Sequence, residues 1–392
     1  MRIVDIRETA VPLNSTLRNA VFDFSEMTTS VVAVITDVIR DGKPVAGFAF
    51  NSTGRYACGA QMRDRFIPRI LKAKPESLLD ATGDNLDPEK ILAAMMQREK
   101  PGGHTERSVA IGTIEVACWD AVAKIAGKPL HRVLAERYNG GTVSDKMSDK
   151  IPCYVGGGWY EPGKGIPELC DEIRDKLDNG YTVMKIKVGG ASIPEDVARV
   201  EAALKIVQSN QHLAVDANAG FNRERALAYA KALAPYKLKW FEEPTDPAGY
   251  ELLNEFIALY GAAVGTGENL FSTQDVDNLV TFGGMRAGTD YIQTDVPQSY
   301  GIVQFARTLA MLKQKGWSRQ SIFPHGGNQM TLHLVGGFGL GGCEAYPGVF
   351  GIFAGFADDA KVENGFLKLP ERPGIGFEAQ NQLYSAMRAL VS

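Results

Sequence analysis

Three acids in this 392-residue sequence stand at one interval. Asp216, Glu242 and Glu268 each close a short apolar run (HLAVDANAG, LKWFEEP and AAVGTGEN), and the steps from 216 to 242 and from 242 to 268 are both 26 residues. That step is one strand-plus-helix unit, so the three carboxylates stand at equal phase on successive parallel strands and converge at one mouth. Alone, any of them would pass for a surface or capping residue. Together their like charges require a cation, and an all-oxygen donor set suits Mg²⁺ better than zinc, which prefers nitrogen and sulfur. Glu242 and Glu243 are neighbours and face opposite ways on a strand, so spacing leaves open which of the two looks inward.

One run earlier, in YTVMKIKVGG, Lys185 and Lys187 lie two apart and share a face. Mutual repulsion and partial desolvation would lower a lysine towards neutrality, as a general base requires. Asp295 follows Glu268 by 27 residues and His325 follows Asp295 by 30, again one unit each. A carboxylate on the neighbouring strand can hold one imidazole nitrogen, fix the tautomer and raise the histidine so that it acts as an acid. Glu344 closes the eighth run, GGCEAYP, where a protonated carboxyl would hydrogen-bond a substrate carboxylate. His104, His131, His212 and His333 read as structural histidines, His104 least securely because it sits in the KPGGH loop.

The elements that must carry these groups follow from the patterning. From about residue 150 there are eight short apolar runs, each followed by a helical stretch such as 195–208 or 224–236, which implies a closed parallel sheet. Before it, TSVVAVITDVI and KPVAGFAFN around Asp41-Gly42 read as a hairpin, and the spacing from Glu106 to a stop at Gly127 predicts a helix. The expected division is an α+β domain over 1–147, a barrel over 148–355, and a turn-rich segment over 356–392 that returns to the first domain.

Composition narrows the function classes. With 45% hydrophobic and 22% charged residues, a formal charge of −4 and no basic cluster, the chain has no electrostatic footprint for nucleic acid or an anionic membrane. No apolar run approaches membrane-helix length, and the start MRIVDIRETAVPL carries too many charges for a signal peptide. Five scattered cysteines (58, 118, 153, 170, 343) suit reduced thiols, so a cytoplasmic protein acting on a small molecule is expected.

A KxK strand, DAN, FEEP, GEN, a sixth-strand aspartate and a PHGG histidine, in that order, resemble the mandelate racemase branch of the enolase superfamily across essentially the whole chain. The resemblance implies a modified TIM (β/α)7β-type barrel with an N-terminal α+β capping domain completed by the C-terminal segment. It implies that Asp216, Glu242 and Glu268 hold Mg²⁺, that Lys187 is the base with Lys185 beside it, that Asp295 and His325 form the opposing dyad, and that Asn218 lies near metal and substrate. Within that branch RNAVFDF, FNSTGRY, EKPGGHTERS, GTGENLFS and PHGGNQM are similar to the D-tartrate dehydratases. That similarity implies that Lys100 meets a distal carboxylate, with Asn51 and Arg55 as further substrate contacts. The expected reaction is dehydration of a hydroxy-carboxylate or diacid, D-tartrate to oxaloacetate, in a homo-oligomer. Dehydration of another acid sugar, racemisation or epimerisation of a 2-hydroxy acid, and, more remotely, a non-catalytic binding protein on a barrel scaffold are the rival expectations.

Overall fold

A computed structural model describes residues 1–19, 21–140 and 150–392. The first element is an antiparallel sheet ordered β1 (Ile3–Pro12), β2 (Thr28–Arg40), β3 (Lys43–Phe50). Asp41 and Gly42 turn the hairpin with φ of 48° and 73°, the doubly left-handed turn whose twist matches that of the strands. The helix Glu106–Ala126 packs on β3 and stops at Gly127, where φ of 66° lets the last carbonyls be satisfied. The approach is close enough that a Cβ at Gly47 would sit 2.1 Å from the Ala117 carbonyl oxygen.

The second element is a parallel barrel. Strands β4 (Lys150–Gly157), β5 (Met184–Lys187), β6 (Leu213–Asp216), β7 (Phe241–Glu242), β8 (Val264–Thr266) and β9 (Tyr291–Ile292) pair in sequence order, and β10 (Cys343–Ala345) pairs with β4. Helices fill the connections, several of them begun by a side-chain cap: Ser192 with Glu195, then Asn222, Ser272 and Asn328. Below the mouth Tyr154, Trp240 and Phe323 plug the barrel with Tyr291 packed against them, a dry floor under the polar groups.

Two expectations need correction. The seventh run, SIFPHGG, forms no strand; it closes the ring through single bridges, Ile292 to Ile322 and Asp295 to His325. Phe323 N donates to Ile292 O at 2.9 Å, but Pro324 has no N–H with which to continue the ladder. The C-terminal segment divides its contacts. Phe377 meets Phe50 of the first domain and Ile375 N donates to Asp120 at 2.6 Å, but β11 (Val362–Glu363) and β12 (Phe366–Lys368) form a hairpin that pairs antiparallel with barrel strand β4. The boundary expected near residue 147 lies outside the described residues. Among the described residues no helix is long and apolar enough to cross a membrane.

Candidate active site

Strand register delivers the acids. Lys187 pairs with Asp216 and Asp216 with Glu242 across β5, β6 and β7, so the three ends lie level at one rim. One oxygen each of Asp216, Glu242 and Glu268 lies within 4.8 Å of the others. Trp240 Nε1 (2.8 Å) and Gln293 Nε2 (2.6 Å) both donate to Glu242 Oε2, and Lys185 Nζ donates to Oε1, so the carboxylate is held from both sides. Burial pushes the Glu242 carboxyl up to about 7, Lys185 working against it and the neighbouring acids with it. The Asp216 carboxyl goes the other way, to about 2, because Lys187, Lys185 and the Asn218 N–H outweigh its burial.

Glu243 is close by rather than turned away. Its backbone is left-handed (φ 43°), Asn269 donates to Oε1 at 2.7 Å, and Oε2 is buried without a hydrogen-bond partner. Burial and the nearby Glu268 and Asp216 hold its carboxyl well above the usual range. Three convergent carboxylates, with a fourth carboxyl close by, form a donor set of oxygens only, which fits a hard divalent cation.

On one flank stand the lysines, both buried. Lys187 Nζ lies 2.5 Å from Asp216 Oδ2 and 4.6 Å from the centre of the Trp159 ring. Lys185 bonds Glu242, lies 2.6 Å from Glu344 Oε1 and 3.4 Å from Asp216 Oδ2. Lys185 is not the destabilised neighbour that mutual repulsion alone suggests: burial pulls its ammonium down, but Glu242 and Glu344 outweigh it and hold the group well above the ordinary lysine range. Glu344 is corrected with it. Burial raises its carboxyl, but Lys185 and His325 bring it below the usual value, so it is an ionised partner of Lys185 rather than a protonated donor.

On the opposite flank His325 Nδ1 lies 2.8 Å from Asp295 Oδ2, and since a carboxylate only accepts, Nδ1 carries the proton. Nε2 points to the acids, 3.9 Å from Glu268 Oε2 and 4.0 Å from Glu344 Oε2. Burial lowers the imidazole, but Glu268, the Asp295 hydrogen bond and Glu344 raise it to about 10. Asp295 has a second donor at Oδ2, Ser52 Oγ at 2.7 Å, and Gln298 N donates to Oδ1 at 3.0 Å. Ser52, Gln298, Trp240 and Gln293 were not singled out from sequence. Trp240 and Gln293 lie two residues before Glu242 and Asp295 and share their faces, a parity signal that was there to be read.

Lys187, Asn218, Glu268 and His325 line one cavity of about 70 Å³, roofed by Phe22, Phe24, Ser52 and Arg55 from the first domain. Asn218 lies beside Asp216: its N–H holds Asp216 Oδ1 at 2.8 Å, and its Oδ1 accepts from Asn19 Nδ2 at 2.9 Å. Arg55 lines the roof, its Nε donating to Gln298 Oε1 at 2.8 Å and its guanidinium over the Phe271 ring. Two expected contacts do not reach the cavity. Lys100 is exposed, its loop tied through its backbone as Arg107 Nη1 donates to the Lys100 carbonyl at 2.9 Å. Asn51 is buried in a structural role, accepting from Ser30 N at 2.5 Å and donating to Ser52 O at 2.9 Å. His104 Nδ1 meets Tyr300 Oη at 2.9 Å, a contact that braces the loop after β9.

Residues 168–383, more than half of the chain, match the family model described as enolase C-terminal domain-like. The chain belongs to the enolase and mandelate racemase superfamily. A superfamily relative, the L-talarate/galactarate dehydratase of Salmonella typhimurium, is 25% identical over 363 residues, 90% of this chain and 82% of its own. Among solved structures, a racemase from Streptomyces coelicolor A3(2) with bound magnesium superposes with a TM-score of 0.76 at 24% identity, covering 97% of this chain and 99% of its own. An L-talarate dehydratase from Polaromonas sp. JS666, complexed with Mg and L-glucarate, has a TM-score of 0.73 at 23% identity, covering 96% and 94%. These likenesses carry the barrel-with-cap architecture of the superfamily, and both of these solved structures hold magnesium.

Proposed function

We propose that the protein is a Mg²⁺-dependent dehydratase of hydroxy-carboxylates, an acid-sugar hydro-lyase, with D-tartrate, giving oxaloacetate and water, as its first candidate substrate. The observation that carries the reading is the placement of Lys187 and His325 on opposite flanks of one carboxylate trio, with Lys187, His325 and Glu268 of the trio lining one small cavity. In this reading residues 1–147 cap the site, 148–355 form the catalytic barrel, and 356–392 are shared by both.

Mg²⁺, held by Asp216, Glu242 and Glu268, would supply positive charge against the negative charge that develops on the substrate carboxylate as the α-proton leaves. Lys187 Nζ removes that proton from C2. Lys185 pairs with Glu242 and Glu344, opposing the burial that raises both carboxyls. His325, an imidazolium at neutral pH, gives its Nε2 proton to the departing C3 hydroxyl while Asp295 holds Nδ1–H, and the enol left behind ketonises. Dehydration needs this asymmetry, a base on one face and a charged acid on the other.

A cavity of about 70 Å³ under aromatic residues favours a compact acid. Arg55, not Lys100, is the cap's cation at that cavity, and it would read a second carboxylate with its planar fork. Relatives act on longer diacids by name, so the test is a panel: D-tartrate, galactarate, L-talarate and arabinonate with Mg²⁺, scoring keto-acid formation with and without chelator. Chelator-sensitive keto acid supports the reading, and tartrate as the best substrate supports its finer form. An inverted hydroxy acid as the only product would instead mean racemisation, and no metal-dependent turnover of any panel member would remove the reading altogether.

A further inference from the structure

The dyad that supplies the acid is not built by the barrel alone. Asp295 Oδ2 is shared by His325 Nδ1 at 2.8 Å and by Ser52 Oγ at 2.7 Å, and Ser52 belongs to the loop that follows β3 in the capping domain, 243 residues away in sequence. Ser52 is buried, and its hydroxyl lies closer to Asp295 than to the Thr53 carbonyl, which is 3.5 Å off. Three residues on, Arg55 Nε donates to Gln298 Oε1 at 2.8 Å, and Gln298 N in turn donates to Asp295 Oδ1 at 3.0 Å. Both oxygens of Asp295 are thus reached from the same four-residue stretch of the cap, one directly and one through Gln298. The Lys187 flank has no direct cap contact of this kind: its partner Asp216 lies on the adjacent barrel strand, and the cap meets it one residue removed, where Asn19 donates to Asn218.

We infer that Ser52 is a positioning residue for the acid: its hydroxyl fixes Asp295, and through it the His325 ring, only while the capping loop is seated. A carboxylate side chain turns freely about its last bond unless its oxygens are engaged. With Ser52 withdrawn, Oδ2 keeps only the imidazole it is meant to orient, and the ring loses its fixed aim at the leaving group. The base is untouched. Proton removal then continues, but its product returns to substrate more often than it loses water. Ser52 so reserves water elimination for the closed site. This inference rests on the dehydratase reading for its catalytic half and on geometry alone for its structural half.

The test has two arms. In the first, which needs no substrate, the Nδ1–H of His325 is followed in the full-length Mg²⁺-loaded protein by its downfield proton resonance, assigned by its loss in H325N. Ser52→Ala should broaden that resonance or raise its solvent-exchange rate about tenfold, and Ser52→Thr, which keeps the hydroxyl, should restore it. In the second, D-tartrate and galactarate are incubated in D₂O. Ser52→Ala should form keto acid about tenfold more slowly, KM little changed, while deuterium enters C2 of recovered substrate at least as fast as in the wild type. An unchanged Nδ1–H signal in Ser52→Ala overturns the inference, and so does an equal fall in exchange and elimination with an unaltered melting curve. If the wild type turns over neither acid, the dehydratase reading fails on these substrates while the resonance still decides the role of Ser52.

Discussion

The two flanks of the mouth are built differently. The lysine flank is internal to the barrel: side chains 0% and 4% exposed, on one strand, paired with acids of the neighbouring strands and of β10. The histidine flank is more open, with the His325 side chain 15% exposed, on a run too irregular to form a strand, and it depends on Ser52 and Arg55 from another domain. A rigid frame suits a base that must hold its aim through every turnover, whereas an acid completed by the cap acts only when the substrate is enclosed. The division of labour between domains therefore runs through the middle of the site.

The comparison can be broken most severely at the acids between the flanks. Glu268→Gln, or an excess of chelator on the wild type, should abolish turnover, falling by about a thousandfold or more, because both flanks act on a proton that is too weakly acidic without the metal's charge. Mg²⁺ binding measured by calorimetry should fall with it. Residual Mg²⁺ affinity equal to the wild type would mean that the trio is not the metal site.

A smaller effect tests whether the barrel side is set from below. Gln293→Leu removes one of two donors from Glu242 Oε2 and should weaken Mg²⁺ by about 10- to 100-fold, read by calorimetry, with the helix content unchanged. Trp240→Phe should act in the same direction.

The cap side is sharpened by a pair of cations. Arg55→Ala should raise KM for a diacid by about tenfold and leave a monoacid nearly unaffected, because it loses a charged contact in a partly desolvated site. Lys100→Ala should change KM less than about twofold, since an exposed ammonium contributes little. If the order were reversed, the roof of the cavity would have been misassigned.

The gentlest probe is pH, acting where the cap meets the barrel far from the mouth. His131, in the helix Leu130–Tyr138, stacks on His333, in the helix Gln329–Phe338. The His131 N–H donates to His333 Nδ1 at 3.1 Å, and His333 Nε2 donates to Ile375 O at 2.9 Å. Burial lowers His131 to about 4, with Arg132 adding to it and Glu371 opposing, and lowers His333 to about 3, with His131 adding. Both lie below the unfolded value near 6.5, so the unfolded chain binds more protons between, and this contribution to stability is present above about pH 6.5 and lost as pH falls towards 3. Melting temperature should drop over that range. His333→Gln, which keeps a donor and an acceptor, should flatten the drop; a profile unchanged by that substitution would remove the pair as its cause.

The legible part of the molecule was the part with a period. The 26-residue step announced Asp216, Glu242 and Glu268, and the next steps Asp295 and His325, because a barrel repeats its unit and its rim residues repeat with it. Strand parity puts Lys185 and Lys187 on one face, but the surroundings of Lys185 are not legible, since sequence shows two like charges side by side and not the carboxylates of β6, β7 and β10 around them. Glu344 was misread for the same reason. Ser52 and Arg55 sit in a loop with no period, and what a loop residue touches is decided by how two domains dock. Lys100, carried over by resemblance alone, failed where the backbone of its own loop turned it to solvent.

The most direct test of the central claim separates the two flanks by their chemistry. With Mg²⁺ and D-tartrate or galactarate in D₂O, deuterium entry at C2 and keto-acid release are measured together in Lys187→Ala and His325→Asn. The account predicts that Lys187→Ala loses both, while His325→Asn loses keto acid by about a hundredfold or more and still exchanges the α-hydrogen. Full dehydration by His325→Asn, or exchange that survives in Lys187→Ala but not in His325→Asn, would contradict it.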